Sequence, residues 1–154
     1  MKSPKKLLII SHSQSGKTDA MTREIINGCK QQNSVEIISL PAQFAGLEDL
    51  LSCDGLIFGT PENFGTMSGM LKDFFDRTYY PAQPYKLNLP YGLFISAAND
   101  GTGAVRDINR ILKGYPLRQV ANPVICKGIL DDRGLTSCRD LGLSLAMGLD
   151  MGIF

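Results

Sequence analysis

The sequence predicts an α/β fold, a three-layer sandwich with a five-stranded parallel sheet and helices on both faces. Three observations carry this reading. Five short apolar runs alternate with five helix-period patterns, the order that builds parallel strands joined by crossover helices. The strand runs are mostly continuous in apolar residues rather than alternating, as in strands buried on both sides. The 154 residues suit one domain, 1–154, large enough to bury a core without disulfides or metal.

Leu7–Ile10 is the first strand. Gly16 to Gln31 follows as a helix, with Met21, Ile25 and Cys29 spaced i, i+4, i+8. Val35–Leu40 is the second strand, and a short helix spans Ala45–Ser52 after Pro41. Leu56–Phe58 is the third strand, stopped by Gly59 and Pro61. The clearest helix is Thr66–Thr78, where Met67, Met70, Leu71, Phe74, Phe75 and Thr78 form one stripe. Met70 is expected in the core. Tyr79–Pro90 has no periodicity and reads as a loop.

Tyr91–Ile95 is the fourth strand. Thr102–Lys113 is a helix by Val105, Ile108 and Leu112. Val120–Ile125 is the fifth strand, and Thr136–Leu149 the last helix. Pro123 cannot donate to a ladder, so the fifth strand belongs at an edge or carries a bulge. A strand order 2-1-3-4-5 meets that requirement.

Composition excludes several classes. A net charge of +1 and a pI of about 7.6 lack the basic excess of a nucleic-acid binder. Lys2, Lys5 and Lys6 read as a solvated lead-in to the first strand. No apolar run approaches the roughly 20 residues of a membrane span, and Leu7–Ile10 is too short for a signal peptide. A cytoplasmic protein is expected, with neither nucleic acid nor membrane as partner. Cys29, Cys53, Cys126 and Cys138 form no CxxC pair, and the single histidine, His12, cannot complete a zinc set. Free, buried thiols are expected.

In an open α/β sheet, ligands bind beyond the carboxyl ends of the strands where the strand order reverses. For order 2-1-3-4-5 that point lies between strands one and three. The loops after strands one, three and four are therefore the candidates. The first is Ser11-His12-Ser13-Gln14-Ser15-Gly16-Lys17-Thr18. Hydroxyls of Ser13, Ser15 and Thr18, a close-approach glycine at Gly16 and the free N–H groups of a helix N-terminus form a nest for a phosphate monoester. A P-loop would place its first glycine where Ser11 stands. It also needs a strand-end aspartate for magnesium, and none follows the third or fourth strand.

The second loop is Gly59-Thr60-Pro61-Glu62-Asn63-Phe64-Gly65-Thr66-Met67-Ser68-Gly69-Met70-Leu71-Lys72. The pattern G-[ST]-P-x-x-x-G-x-M-x-G-x-x-K, followed by Asp73-Phe74-Phe75-Asp76-Arg77, resembles the second flavin loop of the flavodoxin-like NAD(P)H oxidoreductases. These include NAD(P)H-dependent FMN reductases and related quinone reductases. The first loop matches their phosphate loop over Ser13–Thr18, and the element order covers nearly the whole chain. The third loop, Ser96-Ala97-Ala98-Asn99-Asp100-Gly101-Thr102-Gly103, is less similar because relatives carry more glycine there.

The resemblance implies a flavodoxin-like fold with FMN as cofactor and NAD(P)H as electron donor. It implies cofactor contacts from Ser13, Gln14, Ser15, Gly16, Lys17 and Thr18 on the phosphate side. Thr60, Pro61, Glu62, Asn63, Phe64 and Gly65 would wrap one edge of the ring, with Thr66 and Met67 nearby. Ser96, Ala97, Asn99, Asp100 and Gly101 would line the other edge, although Asp100 is equally suited to cap the helix from Thr102. No protein catalytic residue is required, because the flavin carries the redox step.

The expected activity is hydride transfer from NAD(P)H through FMN to a quinone or similar small acceptor. The alternative is a flavodoxin-type carrier serving a redox partner protein. Such carriers tend to be strongly acidic, and the near-neutral charge favours the enzyme. The resemblance also raises a homodimer.

Overall fold

The computed structural model describes residues 3–154, so Lys2 of the N-terminal lysine cluster lies outside it. The chain runs β1 (Lys5–Ser11), α1 (Lys17–Cys29), β2 (Val35–Pro41), α2 (Leu47–Ser52), β3 (Gly55–Asn63), β4 (Thr66–Met67), α3 (Gly69–Ala82), β5 (Pro90–Ala97), α4 (Thr102–Leu112), β6 (Arg118–Gln119), β7 (Val124–Lys127) and α5 (Asp132–Asp150). The main sheet order is β2-β1-β3-β5-β6, with β7 also on β5 and β4 on β3. All pairings are parallel except β3 with β4. The predicted three-layer class and reversal point hold.

The sheet has seven strands rather than five. One extra strand arises because the expected fifth strand is two pieces. Arg118–Gln119 pairs with Pro90–Tyr91, and Val124–Lys127 pairs with Phe94–Ala97. Pro123 sits in the break, where its missing N–H costs no ladder bond. The other is β4, which the helical stripe concealed. Thr66 and Met67 fold back on Asn63 and Glu62 as a hairpin, and the helix begins only at Gly69, with Ser68 Oγ accepting from Leu71 N.

Strand β3 also outruns its expected end at Phe58. Gly59 is not a stop. The ring of Phe94 on β5 occupies the space that a Cβ there would fill. Helix α3 runs through Pro81 to Ala82, past the expected end at Thr78, because Tyr79 packs edge-on against buried Tyr115 at 5.4 Å.

Side chains alternate between two cores, which explains the continuous apolar runs. Leu8, Ile10, Phe58, Leu93 and Ile95 face α3 and α4 with Leu71, Phe74, Phe75 and Ile108. Leu7, Ile9, Ile57 and Phe94 face α1 and α5 with Met21, Ile25, Leu141 and Leu145. Met70, expected in the core, is 44% exposed, one position off the buried stripe of α3. All four cysteines are buried and free.

Candidate functional site

The three candidate loops meet at the carboxyl ends of β1, β3 and β5, flanking the reversal point. The first loop enters α1 through Gly16, which has φ +99 and open space where a Cβ would stand. Ser13 Oγ accepts from the N–H groups of Gly16 and Asp19, at 3.2 Å each. The N–H groups of Ser15, Lys17 and Thr18 find no partner among the described residues, as expected in a first helical turn. Gln14, Ser15 and Gly16 are exposed. Together these form an open cradle of donors at the positive end of a helix dipole.

Two side chains of that loop point elsewhere. Thr18 is buried, its hydroxyl 2.8 Å from Ser96 Oγ. Lys17 donates its ammonium to the carbonyl oxygens of Cys126, at 2.8 Å, and Ala97, at 3.4 Å. Only the backbone N–H of these two residues is left for an anion. Beside the cradle, His12 Nδ1 is buried without a hydrogen-bond partner among the described residues. It lines a polar cleft of about 280 Å³ with Ser11, Ser13, Asp19, Thr22, Ser39 and Gln43.

The second loop is a hairpin tip rather than an irregular segment. Asn63 faces Thr66 across a two-residue turn formed by Phe64 and Gly65, at φ 53 and 75. Such a turn favours Asn-Gly, and a phenylalanine with positive φ is a strained choice. Phe64 is also fully exposed, so it anchors nothing in this fold. Asn63 Nδ2 donates to Gln14 Oε1 at 2.9 Å, joining the second loop to the first. Thr60 is buried, and its hydroxyl holds the hairpin base by accepting from Ser68 N and donating to Pro61 O. Met67 is buried in the α3–α4 core, so its side chain packs inward.

Glu62 reaches across to the third loop. Its Oε1 accepts from Gly101 N at 3.2 Å, and its Oε2 accepts from Gly103 N and Ala104 N at 3.1 and 3.3 Å. Asp100 Oδ1 accepts from the N–H and hydroxyl of Thr102, and these bonds hold its carboxyl below the usual carboxylate range. Asp100 thus turns back onto Thr102 just ahead of α4, whose N-cap position is Gly101. Ser96 and Ala97 are buried strand ends, whereas Asn99 and Asp100 are exposed. On α4, the Thr66 hydroxyl and then Arg106 lower the Asp107 carboxyl in the same way.

A fourth loop, absent from the sequence reading, adjoins the third. Gly128 N donates to Ala97 O at 2.8 Å, and Ile129 is 93% exposed at its tip. Its only sequence signal was Gly128 just beyond the last strand.

Residues 45–121, half of the chain, match the family described as NADPH-dependent FMN reductase. The chain belongs to that family. Among solved structures, it superimposes on a flavodoxin from the domain Archaea with a TM-score of 0.80 and 22% identity, covering 94% of this chain and 99% of the other. A flavodoxin, WrbA-like protein from Agrobacterium tumefaciens gives 0.77 and 19%, covering 93% and 96%. The flavodiiron core of Flv1 from Synechocystis sp. PCC6803 gives 0.82 and 19%, covering 97% of this chain but 37% of that one. These likenesses establish the flavodoxin-like fold.

For an FMN reductase, the donor set is suitable. The unpartnered N–H groups at the start of α1 and the exposed Ser15 hydroxyl fit a phosphate monoester. The exposed Phe64 at the hairpin tip lies in the loop that the Asn63–Gln14 bond joins to this cradle. No helix among the described residues is long and apolar enough to cross a membrane.

Proposed function

We propose that the chain binds FMN through the three joined loops and uses NAD(P)H to reduce a quinone or similar small acceptor. The observation that carries this is the Asn63–Gln14 bond, which sets the open phosphate cradle beside the exposed tip of the second loop. When bound, FMN supplies the redox chemistry. The protein's part is to hold and orient it. Backbone N–H groups of Ser15, Lys17 and Thr18, with the Ser15 hydroxyl, hold the phosphate. Backbone at Asn63–Gly65 meets one edge of the ring, with Phe64 free to cover a face. Ala98, Asn99 and Asp100 border the other edge. Thr18, Thr60, Glu62, Met67 and Ser96 support this surface from beneath with their side chains.

A one-electron carrier is the second reading. It is favoured by the likeness to a flavodoxin over 99% of that flavodoxin's length, which leaves no insertion for a substrate pocket. Two measurements test the pair. FMN is expected to bind tighter than riboflavin by roughly two to four orders of magnitude, since two charge-assisted bonds are worth about 1.5–3 kcal/mol each. Equal affinity would remove the phosphate cradle. Anaerobic NADPH is then expected to bleach the visible flavin band. A band untouched by NADPH and NADH, yet lost to dithionite, selects the carrier.

A further inference from the structure

We infer that Glu62 is a positioning residue that closes the second loop onto the third and offsets the positive end of α4 beside the flavin. The inference rests on the FMN reading above. In the sequence Glu62 reads as one of several residues wrapping the ring. In the structure its carboxylate is consumed by three backbone N–H groups, those of Gly101, Gly103 and Ala104. All three lie at the start of α4, so one side chain from a hairpin satisfies the orphan donors of a helix in another unit of the sequence.

The contact around this bond is close. A Cβ at Gly103 would overlap the carbonyl oxygen of Gly65, so the backbones of the hairpin tip and the helix start pack directly against each other. Gly101 has φ +74, and its Cβ position is filled by Ile125 and Ala97. The third loop therefore cannot settle without its glycines. Neither Gly101 nor Gly103 carries a side chain that can replace the Glu62 bonds. Thr66 lines a shared cleft with Asp107 of α4, and Asn63 holds Gln14 on the opposite side. Glu62 is the central tie of this series, one carboxylate accepting from three backbone N–H groups.

The charge has a second consequence. The start of a helix carries roughly half a positive elementary charge, and here it faces the loop expected to border the ring. The Glu62 carboxylate offsets it. A glutamine keeps the shape and one acceptor but removes the negative charge, so negative charge on a neighbouring flavin becomes less costly. The flavin potential then shifts to a more positive value. A purely mechanical tie has no such effect.

The test compares wild type, Glu62→Gln and Glu62→Ala. Amide exchange in the flavin-free protein reads the tie alone: Gly101, Gly103 and Ala104 are expected to lose protection in Glu62→Ala. FMN titration is expected to show at least tenfold weaker binding for Glu62→Ala. The potential of Glu62→Gln is expected to lie above that of wild type. Unchanged exchange, or unchanged affinity and potential together, overturns the inference. If Glu62→Ala does not fold, the potential and exchange of Glu62→Gln decide. Wild type that takes up no FMN overturns the flavin reading and this role with it, whereas wild type that binds FMN as tightly as Glu62→Ala overturns this role alone.

Discussion

Lys17 crosses from the start of α1 to donate its ammonium to the carbonyl oxygen of Cys126 on β7, at 2.8 Å. A lysine after a glycine at the head of a helix suggests a phosphate ligand, but this one ties the first loop to the far side of the third. Lys17→Met removes charge-assisted bonds to two carbonyls and is expected to cost about 1.5–3 kcal/mol of stability, measured by urea unfolding. FMN affinity is expected to change by less than tenfold, because the backbone N–H of residue 17 persists. A large loss of affinity with unchanged stability would place the ammonium on the phosphate.

Phe64 occupies a left-handed position that asparagine or glycine fills at little cost. Phe64→Asn is therefore expected to stabilise the flavin-free protein by about 1 kcal/mol, raising Tm by a few degrees. The same change is expected to weaken FMN binding, since it removes the exposed ring at the tip. A variant that gains stability and keeps full affinity would show that Phe64 does not touch the cofactor.

The expected strand order and all three candidate loops were legible because they depend on local pattern: apolar runs, then glycine, serine and threonine at strand ends. The elements that escaped depend on distant partners. Thr66 and Met67 continue the stripe of α3 in sequence, yet they pair with Glu62 and Asn63 because the Phe64-Gly65 turn reverses the chain. Arg118–Gln119 and Val124–Lys127 read as one strand because nothing local shows that β5 pairs with each separately. Site residues followed the same division. Gln14, Ser15 and Phe64 keep their side chains exposed at the loop tips. Thr18, Thr60 and Met67 carry side chains that the core claims, a choice set by Ser96, Ser68 and the α3–α4 packing rather than by their neighbours in sequence.

Ser13 separates capping from phosphate binding. Its hydroxyl accepts from Gly16 N and Asp19 N, the geometry of a helix cap. Ser13→Ala is expected to cost about 1 kcal/mol by thermal unfolding in the absence of flavin. It also frees two N–H groups that point toward the cradle, so FMN affinity is expected to fall by less than stability alone would suggest. A loss of affinity far larger than the loss of stability would assign the Ser13 hydroxyl itself to the phosphate.

Alkaline stability follows from the buried thiols. Burial pushes Cys29 and Cys53 up to about 12 from the ordinary value of 9.0, and Tyr91 up to about 12 from 10.0. The folded protein holds these protons more tightly than the unfolded chain, so unfolding releases protons above about pH 9. The stability from their burial is whole below the unfolded values and is lost as pH rises toward 12. Cys126 and Cys138 split instead: their contact, and then Lys17, lower the Cys126 thiol, and the same contact raises the Cys138 thiol. Urea midpoints are expected to hold from pH 7 to 9 and then fall steadily. In Cys29→Ala, the fall above pH 9 is expected to be shallower, even though the variant is less stable at pH 7. Alkylation mapped by mass spectrometry gives a second reading. Near pH 8, Cys126 is expected to react first and Cys29 and Cys53 last, and an equal rate at all three would contradict the environments that the fold assigns them.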